Sequence, residues 1–246
     1  MDKLIYTAMT GASQVLQQQA SVSENLANAN TPGFRATLDV FRAVPILGEG
    51  LPTRTFVVDS TPGADFTPGI MQQTGRALDV AVQGNGWIAV QGADGKEAYT
   101  RNGSFQITAT GVLQTSSGLN VAGDGGPISI PPDTEVTFAK DGTISSVPSG
   151  AKASSVVVIG RLKLVDPPSE QLERGGDGLF RTRDGATAVA DSKVEISPGS
   201  LEGSNVNTVE AMVNMISLAR KFDMQMKMLQ SADSNARQAG QILSVG

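Results

Sequence analysis

The residues that most often carry out acid–base and metal chemistry are absent from this sequence. It contains no histidine and no cysteine. Histidine is the commonest general base, and histidine and cysteine thiolate are the usual ligands of zinc. A Ser-His-Asp triad, a His-based or thiolate zinc site and a disulfide are therefore all excluded. Any catalysis would have to rest on carboxylates, Lys, Tyr or Ser alone.

The short motifs that could still react are weak in their sequence context. Residues 149–152 match the Ser-x-x-Lys of penicillin-recognising enzymes, but the companion Ser-Asp-Asn and Lys-Thr-Gly are missing. Asp133 and Glu135 alternate onto the solvent face of a predicted strand, whereas glycosidase carboxylates face each other across a cleft. Glycine-rich turns occur at 84–86, 123–126 and 175–178, without the features of a phosphate or dinucleotide loop. We expect no catalytic residue, metal, cofactor or small-molecule substrate.

Charge and hydropathy exclude further classes of partner. The net charge is −5 and no run of Lys or Arg occurs, so nucleic acid is not expected to bind. No stretch approaches the roughly 20 apolar residues that span a bilayer. The opening MDKLIYTAMTGASQ has no apolar core typical of a cleavable secretory signal. Export, if it occurs, is expected to use another route.

The amino end predicts an amphipathic helix that stops at Pro32-Gly33, where Pro cannot continue the helix and Gly permits a left-handed turn. Its apolar seam, with one polar position, consists of Ile5, Ala8, Ala12, Val15, Gln19, Val22, Leu26 and Ala29. The opposite face, which includes Thr10, is rich in amides and hydroxyls and nearly free of charge. Such a face can form hydrogen bonds with neighbouring chains without burying ions.

The carboxyl end predicts a second long helix, which begins at an N-cap pair of Asn207 and Glu210. Its seam consists of Met212, Met215, Ala219, Phe222, Met226, Leu229, Ala236 and Leu243, with Ile216 assigned to the same seam. The matching seams predict that the two helices pair with each other as a coiled coil.

The region between the helices alternates apolar and polar residues and repeats turn dipeptides such as Asp94-Gly95, so it predicts an antiparallel all-β domain. Strands are predicted at 78–82, 86–90, 128–130, 136–138, 156–165, 179–181 and 193–196. The expected fold class is α+β. The expected division is an assembly helix at 1–35, an irregular Pro/Thr/Gly-rich connector at 36–75, the β domain at 76–200 and a second assembly helix at 201–246.

Residues 24–34 read ENLANANTPGF and carry the most specific motif in the chain. A helix ending in Asn-Leu-Ala-Asn, followed by Thr-Pro-Gly-Phe, resembles the signature of the flagellar rod and hook family. Segments 78–91, 99–121 and 199–233 also resemble that family, in the family's order, with Trp87 where relatives often carry Phe. The resemblance covers most of the chain.

The resemblance implies a structural, non-enzymatic subunit that polymerises through its terminal helices into the torque-transmitting rod of the flagellar basal body. The opening residues and STPGADFTPG (60–69) resemble the proximal-rod members more than the distal-rod members. The implied partners are other copies of the chain, other proximal and distal rod subunits and the flagellar export apparatus. The implied location is the periplasm-spanning rod, reached without a cleaved signal peptide.

The residues expected to act in assembly form two groups, one at each end of the chain. The N-terminal group is Ile5, Ala12, Val15, Val22, Asn25, Leu26, Asn28, Thr31, Pro32, Gly33 and Phe34, and the C-terminal group is Met212, Met215, Ile216, Ala219, Phe222, Met226 and Leu229. Two alternatives stay open. One is a distal-rod or hook-type subunit of the same family, and the other is a secreted β-rich adhesive or carbohydrate-binding protein.

Overall fold

The computed structural model describes residues 3–45, 55–148 and 156–244, and these form two compact units. The helical unit consists of the described parts of Met1–Ala29, Ala36–Asp65 and Val206–Gly246. The β unit consists of the described parts of Asn30–Arg35 and Phe66–Asn205. The Ser-x-x-Lys motif at 149–152 lies outside the described residues.

The helical unit contains two long helices and one β-hairpin. Its elements are α1 (Lys3–Ala27), β1 (Thr37–Pro45), β2 (Thr55–Ala64) and α2 (Thr208–Ser244). α1 packs against α2 and against both strands. The Asn207 Oδ1 accepts hydrogen bonds from the backbone N–H groups of Val209 and Glu210, at 3.1 and 3.2 Å. Asn207 is therefore the N-cap of α2, as the sequence predicts.

The prediction that the terminal helices pair as a coiled coil along the two apolar seams is wrong. Among the side chains of α2 that the structure describes, Ala211, Leu218 and Ala232 are buried, whereas Met212, Ile216, Ala219 and Met226 of the predicted seam are exposed. Where the helices approach closely, a Cβ on Gly11 would lie 3.3 Å from the amide of Gln225, so a small residue meets a polar one. α1 also shares its surface between α2 and the hairpin. The fold is α+β, with one helix at each end and a mostly β central part.

The prediction of an irregular connector at 36–75 is also wrong. β1 and β2 pair as antiparallel strands from Thr37↔Ala64 to Pro45↔Thr55, with an irregularity between Leu38 and Val40. The Pro and Gly residues that suggested irregular chain are compatible with a two-stranded hairpin, because both of its strands are edge strands. This hairpin belongs to the helical unit.

The β unit is built from short strands, and every strand pair in it is antiparallel. The strands are β3 (Met71–Gln73), β4 (Val80–Gln83), β5 (Trp87–Gln91), β6 (Glu97–Thr100), β7 (Phe105–Ile107), β8 (Leu113–Thr115), β9 (Ala122–Gly123), β10 (Gly126–Pro127), β11 (Thr134–Phe138), β12 (Thr143–Pro148), β13 (Val157–Arg161), β14 (Leu164–Val165), β15 (Leu172–Arg174), β16 (Phe180–Thr182), β17 (Glu195–Pro198) and β18 (Ser200–Glu202). The largest sheet has the order β14-β5-β6-β16-β15, and a second has the order β11-β12-β13. The remaining strands of the unit form the pairs β17-β4, β18-β3, β7-β8 and β10-β9.

The core of the β unit is aliphatic, with aromatic residues at two places. Val80, Ile88 and Leu113 belong to its main cluster, which also contains Phe105 packed 6.0 Å from Phe138 between ring centroids. A second group joins Trp87 to Phe180 at 4.6 Å and to Phe66 at 6.0 Å. The predicted strand at 128–130 makes only an isolated bridge, between Ser129 and Val112. The predicted strand at 156–165 is divided between β13 and β14.

Candidate functional site

The C-terminal end of α1 is tied to the hairpin by a side chain that imitates a strand partner. The Asn25 Nδ2 donates a hydrogen bond to the Thr37 carbonyl oxygen at 2.9 Å, and its Oδ1 accepts one from the Thr37 N–H at 2.8 Å. The Ser21 hydroxyl donates to the Asp39 carboxylate at 2.8 Å. Two uncharged polar side chains of α1, those of Ser21 and Asn25, therefore form hydrogen bonds with the hairpin of the same chain.

The turn after α1 requires glycine at its centre. Gly33 has φ +70°, in the left-handed region, and a Cβ there would overlap the main chain of Arg101 and Asn102. Its N–H donates to the Glu202 carbonyl oxygen at 2.8 Å. The Thr-Pro-Gly-Phe motif therefore brings the backbone of Gly33 directly against two other segments of the β unit.

The two residues after Gly33 are fully enclosed in the β unit. The ring of Phe34 is buried, and the Arg174 guanidinium carbon lies 4.5 Å from its centroid. The Phe34 carbonyl oxygen accepts a hydrogen bond from the Asn205 N–H at 3.3 Å. Arg174 Nη1 donates to the Arg35 carbonyl oxygen at 3.4 Å.

A buried ion triad lies beside this turn. Arg35 Nη1 is 2.7 Å from Glu202 Oε1, and Arg101 Nη1 is 3.0 Å from Glu202 Oε2. The exposed fractions of the Arg35, Glu202 and Arg101 side chains are 1%, 1% and 4%. Glu202 Oε1 also accepts a hydrogen bond from the Gly69 N–H at 2.9 Å. One carboxylate thus binds chain segments that are distant in sequence.

The two arginines of the triad have different surroundings. Arg101 also donates to the carbonyl oxygens of Val82 at 3.3 Å and Gly84 at 2.7 Å, and its guanidinium carbon lies 5.4 Å from the ring centroid of Trp87. The Arg35 nitrogens have no well-aligned hydrogen bond, so its contact with Glu202 is a charge–charge contact at short range. Burial lowers the pKa of Arg101, and the neighbouring Glu202 carboxylate opposes that shift.

The residues predicted to act in assembly are distributed over both units. Gly33 and Phe34 lie in the β unit, together with Thr31 and Pro32. On α1, Ala12 and Val15 are buried, and Val22, Asn25, Leu26 and Asn28 are half-buried at the helix or just after it. On α2, Met215, Phe222 and Leu229 are half-buried, and Met212, Ile216, Ala219 and Met226 are exposed. The side chain of Ile5 lies outside those that the structure describes.

Sequence reasoning missed the triad. Arg35 directly follows the Thr-Pro-Gly-Phe motif, and Glu202 lies in the segment that leads to α2, but neither position belongs to a local period. The one sequence signal for the triad was the charge of Arg35, which directly follows the Thr-Pro-Gly-Phe motif. In the described part of the chain no group of three or more acidic, His or Cys side chains could hold a metal ion, and neither helix is sufficiently long and apolar to cross a membrane.

The polar site described above is buried and holds distant chain segments in place. Three family models match the chain: "Flagella basal body rod protein" over residues 5–35, "Flagellar hook protein FlgE/F/G D1 domain" over 81–146, and "Flagellar basal body rod FlgEFG protein C-terminal" over 197–242. The chain belongs to the flagellar basal-body rod protein family, and it is a structural subunit and not an enzyme.

Individual relatives agree with the family models. The chain is 54% identical to the flagellar basal-body rod protein FlgF of Escherichia coli and 53% identical to FlgF of Salmonella typhimurium, over 100% of each chain. It is 32% identical to the rod protein FlgG of Buchnera aphidicola, over 90% of this chain and 92% of the relative. Family membership places the chain in the flagellar basal body, where it assembles with other rod or hook components, and gives no support to the adhesive alternative.

Proposed function

We propose that this chain polymerises in the proximal rod through the outward faces of α1 and α2. The observation that carries the proposal is a set of exposed apolar side chains on both helices: Tyr6, Met9 and Leu16 on α1, and Val209, Met212, Val213, Ile216, Met224, Met226 and Met228 on α2. Single exposed apolar residues are ordinary, but several on one pair of helices mark an interaction surface. Neighbouring subunits would remove these side chains from water.

The proximal position is supported by two relatives named FlgF, those of Escherichia coli and Salmonella typhimurium, which are 54% and 53% identical to the chain, whereas FlgG of Buchnera aphidicola is 32% identical. In this proposal the chain contacts other copies of itself and other proximal and distal rod subunits. In the same proposal it reaches the periplasm-spanning rod through the flagellar export apparatus. Many packed contacts would then supply the stiffness with which the rod transmits torque.

The residues of the two assembly groups would have different tasks. The exposed members on α2, such as Met212 and Ile216, would contact neighbouring subunits. Ala12 and Val15, which are buried, would hold α1 in the helical unit. Gly33 and Phe34 would fix the path of the chain after α1, within the β unit.

The experiment is a carboxylate substitution on the exposed face of α1, Leu16→Asp. Since Leu16 is exposed, the variant should fold like the unmodified chain. A carboxylate buried against a neighbour is costly, so the variant should be synthesised but absent from purified basal bodies, and the cells should not swim. Recovery of Leu16→Asp in basal bodies at the unmodified level would contradict the proposal.

A second substitution, Thr10→Asp, tests the polar face. Thr10 is half-buried, and its hydroxyl donates to the Tyr6 carbonyl oxygen at 3.1 Å. In a free-standing soluble protein a carboxylate at this position should be harmless. If neighbouring subunits also cover this face, Thr10→Asp should impair assembly and motility, and full motility would restrict the interface to the apolar face.

A further inference from the structure

The hairpin turns an apolar face away from α1. The Asp39 carboxylate on β1 accepts a hydrogen bond from the Ser21 hydroxyl of α1, so the Asp39 side chain faces α1. Because side chains alternate along a strand, Leu38, Val40 and Arg42 lie on the opposite side. Leu38 is 48% exposed, Val40 is 53% exposed, and Arg42 is exposed. We call these three residues the hairpin face.

α2 carries an apolar stripe over its first two turns. Val209, Met212, Val213 and Ile216 follow the spacing of three and four that places side chains on one side of a helix. Their exposed fractions are 69%, 53%, 60% and 56%. The exposed Glu210 borders this set, which we call the α2 stripe.

We propose that the hairpin face of one copy of the chain packs on the α2 stripe of the next copy. A two-stranded sheet face and a helical stripe are a standard pair of packing layers. The exposed Arg42 lies on the hairpin face and the exposed Glu210 borders the N-terminal end of the α2 stripe, so an orientation that brings these two together pairs charges of opposite sign. The same chain presents both surfaces, which favours a second copy as the occupant. The inference rests on the proposed assembly function.

The contact joins two different surfaces, so it is heterologous and repeats from copy to copy without closing into a dimer. It involves few side chains on each copy, whereas a stable free complex buries about 1,600 Å² in total. The contact should therefore form inside the assembled rod and not between dilute free subunits.

The test uses the absence of cysteine from the chain, because engineered thiols then have no competitor. Cells would produce two single variants together, Val40→Cys and Ile216→Cys, and basal bodies would be oxidised and purified. We expect a cross-linked dimer that contains one of each variant. The matched control pairs Val40→Cys with Ser234→Cys, an exposed position on α2. Ser234 lies 18 residues after Ile216, which is five full turns and about 27 Å along the same side of the helix.

A cross-link in the Val40–Ile216 pair well above that in the Val40–Ser234 pair supports the inference. Equal yields of cross-linked dimer in the two pairs would overturn the inference, provided that the cells are motile and all variants are present in their basal bodies. That result would leave the proposed function intact. Absence of the unmodified chain from basal bodies would overturn the proposed function and this inference together.

Discussion

The Arg35 guanidinium lies 2.7 Å from the Glu202 carboxylate, and both side chains are almost completely removed from water. Arg35 follows the turn after α1, and Glu202 ends the last strand before α2. One carboxylate near the end of the second segment of the β unit, Phe66–Asn205, therefore holds Arg35, the last residue of the first segment, and also binds Arg101. This arrangement makes the triad a positioning device for the ends of the β unit.

Glu202→Gln should strongly destabilise the β unit. The substitution leaves two buried guanidinium groups without a counter-charge, and breaking a buried pair in this way costs about 3–5 kcal/mol. The free energy of unfolding, measured by urea titration, should fall by that amount. The control is Glu195→Gln, at an exposed position on β17, which should be nearly neutral. Equal effects of the two substitutions would show that the triad does not stabilise the unit.

Arg101→Met should cost more stability than Arg35→Met. Arg101 donates to the carbonyl oxygens of Val82 and Gly84, which would lose a partner, whereas the Arg35 nitrogens make no well-aligned hydrogen bond. A buried acceptor without a partner costs about 1–3 kcal/mol, so the two unfolding free energies should differ by about that much. Removing either arginine leaves a neutral pair with Glu202, so the difference between the variants comes from the carbonyl oxygens that Arg101 binds. The reverse order in urea titrations would contradict this account of the triad.

Gly33→Ala should be much more destabilising than Gly75→Ala. The two glycines have nearly the same φ, +70° and +71°, so the backbone strain is matched. A Cβ at Gly75 meets no atom within 4 Å, but a Cβ at Gly33 overlaps the main chain of Arg101. Strain alone costs about 1–3 kcal/mol, and the overlap should add to it at Gly33 only. Thermal melts of the two variants measure the difference, and similar melting temperatures would argue against a close approach at Gly33.

Sequence patterns predicted the local features of this fold better than its long-range contacts. The N-cap at Asn207 and the turn at Gly33 depend on a few adjacent residues, and both are present. The resemblance carried by residues 24–34 was sufficient for the family. The triad was not predictable in this way, because Arg35, Arg101 and Glu202 meet only after the β unit has folded.

The coiled-coil prediction failed for a related reason. α2 has apolar side chains on several sides, including Met212, Met215 and Leu218. Periodicity selected a seam that contained Met212, whereas the structure buries Leu218 and exposes Met212. Which of several adjacent apolar faces of a helix is buried depends on the elements that pack against it. The hairpin packs against α1 beside α2, but the sequence predicts an irregular connector in its place, so this second partner of α1 was not expected.

Alkaline pH should destabilise the β unit through Tyr99. Burial, with a further contribution from Glu97, raises the pKa of Tyr99 from 10.0 to about 12. The unfolded chain then loses its proton first, so stability is full below pH 10 and falls between pH 10 and 12. Tyr99→Phe should remove part of that loss, which urea midpoints at several alkaline pH values would measure. An identical pH dependence in the variant would exclude Tyr99 as its source.

The most direct test of the central claim compares Ile216→Asp with Asn85→Asp in purified basal bodies. Ile216 is exposed on α2, and Asn85 is exposed in the turn between β4 and β5, so each variant adds one carboxylate to the surface of the free chain. If the helices serve assembly, both variants should unfold at the same temperature as the unmodified chain. Only Ile216→Asp should then be missing from the basal bodies, in cells that synthesise it but do not swim. Normal incorporation of Ile216→Asp, or a lowered melting temperature that explains its loss, would contradict the claim that α2 acts through contacts with neighbouring subunits.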